Sequence, residues 1–226
     1  MVDASDASGD PDVLSLDAAN DVCVGATFCD TFDTLPFGAT WTSSEIVGGA
    51  TLTLADGGLS APFGARLFMP ARTATTTRIA ELRTNLSPGS QVSCTVDLRV
   101  DESPATGDTA AMTIRATSPG ITQGDMFVTL TQGGTLFYES FFFVDGGSSK
   151  ANRPLPMLPV GTWSQLTLKT DYTTVTVTIN GAVASSMPLL VSQKPTSLVV
   201  GLGERGDSEL GQTSVLFDNY RCVVTP

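Results

Sequence analysis

The sequence predicts an all-β protein, an antiparallel sandwich of two curved sheets, and three observations carry that prediction. Threonine is the commonest polar residue, with 31 copies among 226 residues, and many alternate with Val, Ile or Leu in the period-two pattern of half-buried strands. Turn signals recur at short intervals: Gly48-Gly49, Gly57-Gly58, Pro88-Gly89, Pro104 to Asp108, Pro119-Gly120 and Gly146-Gly147. No segment sustains a 3.6-residue apolar period with capping residues at its ends. Many short strands with frequent turns make a sandwich rather than a mixed fold.

The strands are expected in this order. Segments 28–34, 40–47, 50–55, 65–69 and 76–83 come first, punctuated by the paired glycines. Gln91 to Asp101 is cleaner: Val92, Cys94, Val96, Leu98 and Val100 share one face, and Ser93, Thr95, Asp97, Arg99 and Asp101 the other. Cys94 therefore points into the core. Segment 109–117 follows, and 125–132 joins 135–144 through a tight hairpin at Gly133-Gly134. After 163–170, Thr174 to Ile179 alternates without a break, with Val175, Val177 and Ile179 facing one way. Asn180-Gly181 then supplies the positive-φ pair of a type I′ turn, and Ala182 to Met187 returns as the partner. Segments 197–203 and 213–224 close the chain. From residue 22 onward the body is roughly 200 residues, sized for one sandwich domain.

Charge divides the chain unevenly. The first 33 residues hold eight acids (Asp3, Asp6, Asp10, Asp12, Asp17, Asp21, Asp30 and Asp33) and no base, although the whole chain carries a net −11. The rest holds 15 acids against 12 bases. The opening 1–21, rich in Asp, Ala and Ser, buries too little apolar surface to offset its ordering entropy, so it reads as a disordered acidic tether. Met1 is not followed by a basic stretch and an apolar core, so export implies a signal that was removed or lies upstream. No run of 18 apolar residues suggests a transmembrane segment. Histidine is absent, which excludes Ser-His-Asp and Cys-His nucleophile pairs and the usual zinc sites. The acidic balance speaks against nucleic acid as a partner.

Cysteines stand at 23, 29, 94 and 222, in no CxxC spacing. Two disulfides in an oxidising compartment are expected. Of three possible connectivities, the one expected is Cys23–Cys29 as a local loop and Cys94–Cys222 as a long clamp.

Three motifs carry a family resemblance. Gly161-Thr162-Trp163-Ser164-Gln165-Leu166-Thr167-Leu168, followed by a β-run and Ile179-Asn180-Gly181, resembles the G-x-W-x-x-L-x-L … I-N-G signature of laminin-G-like jelly rolls. Val215-Leu216-Phe217-Asp218-Asn219-Tyr220 resembles their closing strand, and Phe28-Cys29-Asp30-Thr31-Phe32-Asp33 with Trp41 their opening one. These domains share the concanavalin A-like lectin and glucanase fold, and an Asp/Ala/Ser-rich leader with four cysteines is similar to exported bacterial lipoproteins. The resemblance implies a jelly roll with first and last strands paired, possession of a lipid-anchored tether, and Trp41 and Trp163 as core packing.

It also frames the chemistry. Glycosidases on this fold place two glutamates on one strand with an aspartate between them. Here six glutamates (Glu45, Glu81, Glu102, Glu139, Glu204 and Glu209) are scattered, with no two on one predicted strand. Asp97, Arg99 and Asp101 read as a solvated charge ladder. The chain is therefore expected not to be an enzyme. Lectin-like sites on this fold use aromatic faces with polar groups beside them. Leu136 to Phe143 is the aromatic-rich strand, with Tyr138, Ser140 and Phe142 on one face and Phe137, Glu139, Phe141 and Phe143 on the other. Arg115, Tyr138 and Glu139 are the candidate ligand residues of a concave face. The resemblance implies a structural calcium where first and last strands meet, with Asp30, Asp33 and Asp218 as ligands; the plainer expectation is that Asp218-Asn219 hydrogen-bonds the adjoining loop. The expected protein is a monomeric, exported or cell-surface, non-catalytic domain that binds a glycan or polysaccharide. The alternatives are a structural or protein-interaction domain and, third, a glycoside hydrolase.

Overall fold

The computed structural model of the chain describes residues 22–60, 62–71, 77–103, 109–118, 121–144, 147–189, 194–206 and 211–226. The expected tether over 1–21 lies outside them. Fifteen strands follow in order: β1 (Phe28–Asp30), β2 (Ser43–Val47), β3 (Thr51–Asp56), β4 (Phe63–Met69), β5 (Arg78–Leu86), β6 (Gln91–Glu102), β7 (Thr109–Ser118), β8 (Ile121–Leu130), β9 (Leu136–Val144), β10 (Gly147–Leu155), β11 (Trp163–Thr170), β12 (Thr174–Ile179), β13 (Ala182–Pro188), β14 (Ser197–Gly206) and β15 (Thr213–Thr225). A 3-10 turn, Gln132–Gly134, joins β8 to β9, with Gly133 and Gly134 both at positive φ. Asn180 and Gly181, at φ 49° and 78°, turn β12 into β13 as the residue pair predicts.

The strands form two antiparallel sheets. The first runs β13-β12-β11-β6-β15-β4-β3, with β1 also paired to β15; the second runs β10-β9-β8-β7-β14-β5-β2. Alternation sends one set of side chains from each sheet into a common core. Val92, Cys94, Val96, Leu98 and Val100 of β6 meet Met112 and Ile114 of β7, Met126 and Val128 of β8, and Leu198, Val200 and Leu202 of β14 in one buried cluster. Among the described residues no helix is long and apolar enough to cross a membrane.

Both expected disulfides are present. Cys94 and Cys222 stand directly opposite each other on β6 and β15, with Cα atoms 4.1 Å apart. Cys23–Cys29 fastens the segment that leads into β1. Phe28 of β1 faces Cys222 of β15 from the edge opposite β6, so the two bridges lie on either side of the same strand. Asn219, at φ 51°, makes a bulge in β15 that shifts the register between Asp218 and Arg221 and turns Tyr220 and Cys222 into the core.

The structure departs from the sequence reading at β10 and at Trp163. β10 was not foreseen, because Gly-Ser-Ser-Lys-Ala-Asn-Arg-Pro-Leu has no apolar alternation and ends near a proline; it is an edge strand, held through β9 alone, where such a sequence is tolerated. Trp163 is not core. It pairs with Arg99 on the outer face of the first sheet, and the Arg99 guanidinium lies 5.4 Å from its ring centroid. Trp41 does lie in the core, packed edge-on against Phe28 at 4.8 Å.

Candidate functional site: the outer face of the second sheet

The two outer faces differ in chemistry. The first sheet carries a threonine row, with Thr95, Thr167 and Thr178 side by side across β6, β11 and β12 and the Thr95 and Thr167 hydroxyls 2.9 Å apart, and next to it the Arg66–Asp101–Arg99 ion pairs with the single ring of Trp163. The second carries aromatic and charged side chains on its central strands. Register lines these up in two rows. One runs Arg83, Gly201, Thr113, Phe127, Glu139, Asn152 across β5, β14, β7, β8, β9 and β10. The next runs Asn85, Val199, Arg115, Asp125, Phe141, Lys150 over the same strands.

Phe127 and Phe141 pack edge-to-face, ring centroids 6.2 Å apart, and Phe143 two residues on is 45% exposed. Beside this aromatic stripe lie charges that are unusually well covered for an outer face: Asp125 is 3% exposed, Glu139 7% and Glu81 8%. Each has a cationic partner. Arg115 donates from Nε and a terminal nitrogen to the two oxygens of Asp125, at 2.6 and 3.2 Å. Glu139 Oε1 accepts from Asn152 Nδ2 at 2.9 Å and pairs with Lys150 Nζ at 3.1 Å, and the same ammonium lies 4.7 Å from the Phe141 centroid. Arg83 pairs with Glu81 and, at 3.4 Å, with Glu45, and these carboxylates hold its guanidinium above the ordinary arginine pKa; its Nε is buried with no partner. Gly201 makes room for this group. A Cβ there would come within 3.1 Å of Glu81 Oε1, so the side chains of β5 fold over bare backbone at the middle of the face.

Of the three candidate ligand residues, Arg115 and Glu139 share this face. Tyr138 does not: it is 0% exposed and sits in the core with Leu136, since residues one apart on a strand point oppositely, and burial pushes its hydroxyl up to about 12. Sequence reasoning missed Glu81, Arg83, Asp125, Phe127 and Lys150 because they converge only through the register of four further strands. It also sought carboxyl pairs along single strands. Asp125 and Glu139 instead come together diagonally, since Asp125 opposes Phe141 and Glu139 is two residues before it.

Asp30 lies on β1, Asp33 just beyond it and Asp218 on β15, and hydrogen donors surround all three. Asp30 accepts from Phe32 N, Thr40 Oγ1 and Trp41 Nε1; Asp33 Oδ1 accepts from Phe63 N; Asp218 accepts from Asn219 N and from the amide and hydroxyl of Ser60. Only Asp33 Oδ2 has no donor. Donor hydrogens aimed at five of six oxygens leave a set that fits calcium poorly, and among the described residues no cluster of three metal-ligating side chains occurs. Burial, with Asp33 adding its charge, pushes the Asp218 carboxyl up to about 6. A cavity of about 280 Å³ lies elsewhere, between the edge strands β2 and β3, with Trp41, Leu52 and Leu82 among its walls.

No family model matches the chain, and no curated protein matches its sequence. Solved structures do match its fold. A GH16 enzyme of a Bacteroides ovatus mixed-linkage glucan locus superposes with a TM-score of 0.66 at 8% identity, over 87% of this chain and 99% of that one. The cellulose-induced protein Cip1 gives 0.65 at 14% identity, over 88% and 97%. Alginate lyase A1-II′ gives 0.55 at 13% identity, over 76% and 83%. The fold is the concanavalin A-like jelly roll. At these identities the likeness extends to the fold alone.

Proposed function

We propose that the protein is a non-catalytic carbohydrate-binding domain of an exported or cell-surface protein, with the outer face of the second sheet as its ligand surface. The observation that carries this reading is the aromatic stripe of Phe127, Phe141 and Phe143 set among hydrogen-bonding charges on one face, where the other face has the single ring of Trp163. Aromatic rings stack on the apolar faces of sugars; carboxylates, amides and guanidinium groups between them meet the hydroxyls. The structural neighbours support carbohydrate as the ligand class, since they include a glucan-acting hydrolase bound to its product, an alginate lyase and a cellulose-induced protein. Two disulfides support an extracellular or periplasmic setting. The laminin-G-like motifs and the acidic leader support presentation on a tether, lipid-anchored to a cell surface. A glycan array probed with the full chain tests the reading. Retention on at least one glycan is expected, and a blank array overturns it.

A second reading rests on Asp125 and Glu139. Diagonal neighbours on antiparallel strands stand about 7–8 Å apart at Cα, within the span that glycosidases use for two carboxyls. Both carboxylates are clamped in ion pairs here, which favours binding over catalysis. Release of reducing ends from a polysaccharide, abolished in Glu139→Gln, would reverse that preference.

A further inference from the structure

The same face carries a statement about which glycans it takes, resting on the carbohydrate-binding reading above. Its described cations are Arg83, Arg115 and Lys150, and its described acids are Glu45, Glu81, Asp125 and Glu139. Every one of the three cations already contacts a carboxylate of the face. Arg115 spends its Nε and one terminal nitrogen on Asp125, Lys150 is bound to Glu139, and Arg83 stands between Glu81 and Glu45. Among the described residues, four acids against three bases leave one surplus negative charge. Asp125, Glu139 and Glu81 are too well covered for water to screen them as it screens an ordinary surface pair.

We infer that this surface selects neutral glycans and rejects polyuronates. A uronate chain brings a carboxylate on each sugar and needs an unpaired guanidinium or ammonium to receive it. Here it meets cations whose charge a neighbouring carboxylate already offsets, and it must compete with that covered carboxylate for them. A neutral chain faces no such exchange. Its hydroxyls meet the exposed polar ends of Lys150 and Asn152, and its C–H faces meet Phe127, Phe141 and Phe143. The closed pairs turn anionic sugars away.

Affinity electrophoresis of the full chain tests this, in gels holding a neutral β-glucan, a neutral α-glucan, alginate or polygalacturonate, each at low and at high salt. Retardation by a neutral polysaccharide is expected, with an affinity that changes less than about twofold with salt, because no counterion-releasing charge pairs form on binding. Alginate and polygalacturonate are expected to bind at least about tenfold more weakly. Glu139→Gln keeps an acceptor for Asn152 but frees Lys150, and it is expected to gain polyuronate binding that high salt removes. Polyuronate binding by the wild type as tight as neutral-glycan binding overturns the selectivity while leaving the carbohydrate reading in place. So does a Glu139→Gln variant that gains none while still binding neutral glycan. Binding to no polysaccharide of either class overturns the carbohydrate reading itself, and the selectivity with it.

Discussion

Replacing both Cys94 and Cys222 by alanine removes the bridge between β6 and β15. That bridge joins residues 128 apart in sequence, whereas Cys23 and Cys29 are separated by 6. A cross-link stabilises mainly by limiting the unfolded chain, and loop-closure entropy gives about 5 kcal/mol for the long loop against about 2 kcal/mol for the short one. In a domain of this size each kcal/mol moves the melting temperature by about 2–4 °C, so the long bridge is expected to be worth about 10–20 °C. The register supports a full contribution, since Cys94 and Cys222 are direct cross-strand partners and the bridge needs no rearrangement of the sheet. The assay is thermal and urea unfolding of the full chain under non-reducing conditions, for the wild type, Cys94→Ala/Cys222→Ala and Cys23→Ala/Cys29→Ala. The first pair should cost more than twice the second. Equal losses from the two pairs, or a larger loss from the short loop, would refute the loop-closure reasoning.

Other expectations follow from single positions. Gly203→Ala should destabilise the fold by about 3 kcal/mol or more, because φ is +113° there and a Cβ would sit 2.1 Å from the Ala80 carbonyl oxygen; the urea midpoint reports it. Asp218 has a folded-state pKa of about 6, above the ordinary 3.8, so the folded protein keeps a proton that the unfolded chain releases. Its stabilising contribution is complete below about pH 4 and is lost as pH rises through 6. Asp218→Asn should flatten that part of the stability–pH curve, and an unchanged slope would contradict the assignment. Melting should not move on adding EDTA or calcium, since donors already occupy the acidic corner; a calcium-dependent rise of several degrees would restore the metal.

The sequence was most informative where one strand sufficed. Alternation in Gln91 to Asp101 placed Cys94 inward, and Asn180-Gly181 named its own turn. The sandwich and both bridges were legible for that reason. β10 was not, because an edge strand needs only half the apolar pattern. Tyr138 and Glu139 are neighbours in sequence and alternation sets them on opposite faces, yet only the structure shows that the Tyr138 face is the core. Trp163 faces outward because its own strand places Ser164, Leu166 and Leu168 inside, which likeness to a motif does not reveal. The rest of the site was hidden more deeply. Arg83, Thr113, Phe127, Glu139 and Asn152 come from five strands spread over 70 residues, and only their register sets them in one row. A lone Asp125 or Lys150 carries no signal of the partner it finds across the sheet.

The central claim is that one face of this sandwich, and not the other, holds sugar. Isothermal titration of a glycan retained on the array, with wild type, Phe141→Ala and Trp163→Ala, tests it most directly. Loss of a stacking ring from the second sheet should weaken binding by about tenfold, the equivalent of roughly 1.4 kcal/mol, while loss of Trp163 from the first sheet should leave it unchanged. The reverse pattern, with Trp163→Ala weakening binding and Phe141→Ala without effect, would place the ligand on the first sheet and contradict the account.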